Sequence, residues 1–75
     1  MIVYVATDPS DGADKFLGAY SSVDAAITDL KERFVGAGDD KPVKPSDPWM
    51  VDRQPDVTTI GAGPMLWRIL TVTVK

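Results

Sequence analysis

Hydrophobic and polar positions divide this chain into short extended segments around one helix. Ile2-Val3-Tyr4-Val5-Ala6 is an unbroken run of β-branched, aromatic and small apolar residues, the pattern of an interior strand with two apolar faces. Lys15 to Tyr20 reads as a second strand, joined to the first by the turn-forming loop Asp8 to Asp14. Gly18 weakens that strand and marks a bulge or a close approach of the helix. Apolar residues at Val23, Ala26, Ile27, Leu30 and Phe34 recur at the spacing of one helix face, which predicts a helix over about residues 22–35. Ser21 is the expected N-cap, with Asp24 three residues on as the short acid of a capping box. Asp29 and Arg33 form an acid-first i, i+4 pair, and Gly36 or Gly38 is expected to end the helix in a left-handed conformation.

Residues 39–48 read as an extended linker, because Pro42, Pro45 and Pro48 preclude a helix. Trp49 to Arg53 and Val57 to Ile60 are short β-prone segments, Gly61-Ala62-Gly63-Pro64 is a turn, and Met65 to Val74 is the longest strand. Two registers fit that last strand. Either a bulge near Ile69-Leu70 switches the buried parity, or the strand is central and covered on both faces. The expected fold is α+β: a single domain over residues 1–75, in β-β-α-β-β order, with one antiparallel sheet of four to five strands. One helix packs on one sheet face, over Val3 or Tyr4, Phe16 or Leu17, Leu70 and Val72. Tyr4, Tyr20, Trp67 and Ile69 exceed what one helix can cover, so the Pro-rich segment or a second molecule is expected to cover the rest.

Composition narrows the chemistry. There is no cysteine and no histidine, so disulfides, the usual zinc sites, catalytic triads and thiol nucleophiles are excluded. A chain of 75 residues buries only about 60% of its unfolded surface, so packing or a partner must supply its stability. The net charge of −3 disfavours direct nucleic-acid binding, which needs clustered Lys and Arg. Glu32 is the one glutamate against ten aspartates, which places most of the acid in turns and caps. No apolar run is long enough to span a membrane, and Ile2 to Ala6 is too short for a signal-peptide core; the expected location is the cytoplasm.

No motif carries a reaction. Counted from Asp8, Gly12 is fifth and Ala19 twelfth, so the loop fails the EF-hand spacing. Gly36-Ala37-Gly38 and Gly61-Ala62-Gly63 lack the strand-to-helix context of a dinucleotide loop. Asp52 and Asp56 are the one carboxylate pair worth testing for acid–base chemistry. The expectation is therefore a non-enzyme with no cofactor, no metal and no catalytic residue.

The opening strand Ile2-Val3-Tyr4-Val5, followed by Gly18-Ala19-Tyr20-Ser21-Ser22 and by Ala25 and Ala26, resembles small phage-encoded β-β-α-β domains. By size and class that resemblance implies an anti-CRISPR or other anti-defence inhibitor that blocks a host protein or defence complex sterically, in the host cytoplasm. Trp and Met are enriched where proteins touch. Trp49 and Met50, with Asp47, Asp52 and Arg53 around them, are accordingly the candidate partner-binding residues. The second expectation is a self-associating module, a homodimer, motivated by the aromatic surplus at Tyr4, Tyr20 and Trp67.

Overall fold

A computed structural model of the chain describes residues 1–9 and 14–75. The centre of the loop between the first two strands, which includes Gly12, lies outside the described residues. Five strands, β1 (Ile2–Asp8), β2 (Lys15–Tyr20), β3 (Trp49–Arg53), β4 (Val57–Ala62) and β5 (Met65–Thr73), form one sheet. Its order is β2-β1-β5-β4-β3, every neighbour antiparallel, and one helix, α1 (Val23–Phe34), packs on one face. The α+β expectation holds.

The entry to α1 lies one residue later than the sequence pattern suggests. Ser22, not Ser21, is the N-cap: its backbone is extended, and its Oγ accepts from the Ala25 amide at 3.0 Å. Ser22 sits three residues before that amide, the reach an N-cap hydroxyl needs. Asp24 then falls inside the first turn and pairs with Arg53 Nη2 at 3.1 Å.

No left-handed glycine ends the helix. Val35 is extended and forms a parallel bridge with Val43, which donates its amide to the Phe34 carbonyl at 3.1 Å. The Gly36 amide donates back to the Val43 carbonyl at 3.0 Å, and Lys41 Nζ reaches the Arg33 carbonyl at 3.0 Å. The Pro-rich segment is thus a docked strap rather than a linker. Lys44 and Asp47 close a turn with Pro45 at its second position, held by the Asp47 amide on the Lys44 carbonyl and by the Lys44 amide on Asp47 Oδ2. This turn and the Val35 bridge pin Val43, which is fully buried.

β5 is the central strand, and its pairing with both neighbours runs without a shift. No bulge lies at Ile69-Leu70. Period-2 alternation therefore holds along the strand. Met65, Trp67, Ile69 and Thr71 face the helix layer, and Leu66, Arg68, Leu70 and Val72 face away. Leu70 and Val72, expected under the helix, are on the opposite face. Tyr4, Tyr20, Trp67 and Ile69 share the helix side, where α1 and the strap cover them together. The Trp67 ring packs between Phe34 (centroids 5.2 Å) and Trp49 (5.4 Å). The core comprises Ala6, Ala26, Leu30, Val43, Ile60, Ala62, Trp67 and Ile69.

The one register shift lies in the outer pair, between Ala6 and Thr7 of β1, and Leu17 is the extra residue on β2. Beside it the Tyr20 ring crosses Gly18 so closely that a Cβ there would stand 2.5 Å from the Tyr20 hydroxyl. Any larger residue there would have to push the Tyr20 ring aside.

Candidate protein-binding face

Alternation along five paired strands leaves the second sheet face as a surface of its own. The register places Val3, Val5 and Thr7 of β1, Phe16 and Ala19 of β2, Met50 and Asp52 of β3, Val57, Thr59 and Gly61 of β4, and Leu66, Arg68, Leu70 and Val72 of β5 on it. Asp52 and Arg68 are the only charged residues among these. The shortest dimension of the molecule is 19 Å, about the thickness of one sheet and one helix layer, so among the described residues no third layer lies over this face. Phe16 is 65% exposed, Met50 75% and Leu66 47%. Scattered apolar residues are ordinary on a surface, but a contiguous apolar sheet face marks an interaction site.

The face holds a depression of about 480 Å³ lined by Met50, Val51, Asp52, Thr59, Gly61 and Leu66. Its floor is Gly61, paired with Met50 on one side and Leu66 on the other. A Cβ on Gly61 would meet nothing within 4 Å, and Gly63 is the only described glycine with a positive φ. Neither backbone conformation nor crowding inside the chain therefore calls for glycine at Gly61. The turn that follows is shorter than the Gly61-Ala62-Gly63-Pro64 motif suggests. β4 continues through Ala62, and Gly63 (φ 56°) and Pro64 alone make a two-residue hairpin loop.

The five partner-binding candidates do not share one surface. Met50 and Asp52 lie on the open face, and Asp52 Oδ1 accepts from Gln54 Nε2 at 3.2 Å. Trp49 and Arg53 lie on the helix side. Trp49 is half-buried against Trp67, with Lys31 Nζ 5.3 Å from the centre of its ring, and Arg53 reaches Asp24. Asp47 belongs to the strap turn. Asp56 lies in the exposed β3–β4 turn, where its carbonyl accepts from the Thr71 amide at 2.9 Å. Among the described residues no three acidic side chains gather as a metal site would require.

Gly61, Leu66 and Arg68 were not legible as site residues. Their signal is present in the chain as the even parity Leu66, Arg68, Leu70, Val72, but parity acquires a direction only once the neighbours of β5 are known.

The opposite side of the molecule holds a polar network. The Tyr20 hydroxyl donates to Asp29, and Arg33 Nη1 bridges Asp29 (3.5 Å) and the Leu17 carbonyl (3.0 Å). Burial, reinforced by the hydrogen bond to Asp29 and its negative charge, raises the Tyr20 pKa above its usual value. This network ties α1 to the outer strand and occupies a carbonyl of the bulged segment. It is structural in placement, far from the depression.

No family model, curated protein or solved structure matches the chain. Among the described residues no helix is long and apolar enough to cross a membrane.

Proposed function

We propose that this chain is a non-enzymatic protein-binding module whose working surface is the open face of the sheet. The observation that carries the reading is the Met50–Gly61–Leu66 depression: a strand glycine that nothing within the chain requires, flanked by two exposed apolar side chains. A glycine in a strand interior costs stability and commonly marks a place where another backbone or ligand approaches. The face is mostly apolar, with Asp52 and Arg68 as its only charged residues. Its mode of action is then steric, by covering a partner's surface. The resemblance of residues 2–34 to phage-encoded domains implies a host protein or defence complex as the partner.

The test is capture from host lysate on three baits: the native chain, Met50→Glu on the open face, and Glu32→Lys on the exposed side of α1. The captured protein is then purified and titrated against each bait by calorimetry. A partner lost from Met50→Glu and kept by Glu32→Lys supports the reading. One kept by Met50→Glu and lost from Glu32→Lys moves the working surface to the helix and overturns it.

A further inference from the structure

The open face is complementary to itself. Asp52, Thr59 and Arg68 lie in one row across β3, β4 and β5, and Met50, Gly61 and Leu66 lie in the next row of the same face. Neighbouring strands are about 4.8 Å apart, so in each row the outer residues flank β4 at equal distance. A two-fold axis along β4, in the plane of contact, exchanges β3 of one copy with β5 of the other. It sets Asp52 over the second copy's Arg68, and Arg68 over its Asp52. Met50 then meets Leu66, and Gly61 meets Gly61 at the axis, where the absence of side chains gives both backbones their closest approach.

Two alternative axes fail on charge. An axis along β5 stacks Arg68 on Arg68. An axis along the Asp52–Thr59–Arg68 row stacks each charge on itself. Among the described residues neither Asp52 nor Arg68 has an ion pair, so both charges are available. Like charges set opposite one another are costly and opposite ones fix register.

We infer that a second copy of this chain occupies the open face, as an isologous dimer with its axis along β4 and reciprocal Asp52–Arg68 pairs. The inference rests on the reading of that face as the working surface and sets a second copy there in competition with the host partner. Three strands of each copy overlap, an area below the ~1,600 Å² of a standard stable interface, so the dimer belongs to the weak, concentration-dependent class. Val5, Ala19 and Phe16 stay uncovered on the outer flanks of the pair.

Charge reversal tests the axis directly. Asp52→Arg carries two cations on the face and Arg68→Asp two anions, so each alone sets like charge on like in its own dimer. Mixed, the two variants match at both pairs. Sedimentation over about 10 to 500 µM, the range suited to a weak interface, is expected to show self-association of the native chain. Each variant alone should weaken it at least tenfold, and the equimolar mixture should restore it. Gly61→Glu should abolish it while leaving the melting temperature within a few degrees, because the added side chain meets open space.

A native chain that stays monomeric throughout overturns the dimer. So does a mixture of the reversed variants that fails to associate, or a Gly61→Glu chain that dimerises as the native one does. The two readings separate through Met50→Glu. If the native chain is monomeric but Met50→Glu loses a captured partner, the second-copy inference falls and the open-face reading stands. If Met50→Glu changes neither self-association nor capture, both fall.

Discussion

Trp49→Ala separates two roles that one half-buried strand residue can hold, partner anchor and edge of the core. The magnitude follows from its contacts. The ring is half-buried and stacks on Trp67 with centroids 5.4 Å apart, and Lys31 Nζ stands 5.3 Å from its centre. Taking about 100 Å² of apolar surface removed from water at ~25 cal/mol per Å² gives about 2.5 kcal/mol. The aromatic pair adds about 0.5–1.5 kcal/mol and the cation near the ring about 0.5 kcal/mol. Partial collapse of Lys31 and Val51 into the vacated space recovers some of this, so a net loss of about 3 kcal/mol is expected. For a chain of this size each kcal/mol moves the melting temperature by roughly 4–8 °C, so the expected fall is about 12–24 °C. Calorimetry or thermal circular dichroism reads it. Trp49→Phe, which keeps a ring on Trp67, should lose only about 1 kcal/mol. A fall below about 4 °C for Trp49→Ala would refute the packing argument and return Trp49 to the partner surface. Met50 is the opposite case: its side chain is 75% exposed, so Met50→Ala should leave stability within about 0.5 kcal/mol.

Three further outcomes follow from the same geometry. Ser22→Ala should cost about 1 kcal/mol in chemical denaturation, and Ser21→Ala only a few tenths, because Ser22 alone accepts the Ala25 amide. Val43→Ala should cost about 2 kcal/mol, the value of two buried methyl-sized groups, although the residue lies in a segment of prolines and turns. Tyr20 has a folded-state pKa raised above 10.0, so its neutral form stabilises the fold below that pH, and the contribution fades as pH climbs through the folded value. Measured as native minus Tyr20→Phe, the stability difference should be flat from pH 7 to about 9.5 and decline above 10; a difference that grows with pH would contradict the raised pKa.

The open face changes how β3 reads. Successive residues of a strand point to opposite sides, so Trp49-Met50-Val51-Asp52-Arg53 cannot act as one patch. Its odd positions complete the core beside Trp67 and tie down the helix start through Asp24, while its even positions complete the depression over Gly61. A substitution at Trp49 or Arg53 therefore reports on stability, and one at Met50 or Asp52 tests the proposed binding face. Arg53→Ala should cost no more than about 0.5 kcal/mol, since its pair with Asp24 is exposed.

Local chemistry by itself determined the elements. The 3.6-residue spacing from Val23 to Phe34, the serine pair before it, the β-branched runs and the Gly-Pro turn are set by propensities and periods that act over a few residues. So were the exclusions, since the absence of His and Cys needs no fold to interpret. Strand neighbours were decided only in three dimensions. β1 and β5 lie at opposite ends of the chain yet pair along six residues, and that pairing makes β5 central and gives its two parities their directions. The helix end is of the same kind: Val43, eight residues after Val35, closes it, where the local pattern points to Gly36 or Gly38. Gly61 shows the reason most plainly. In sequence it is one glycine of a turn motif; only the register of β3, β4 and β5 places it on the floor of an apolar depression, because sheet pairing joins residues that no local pattern connects.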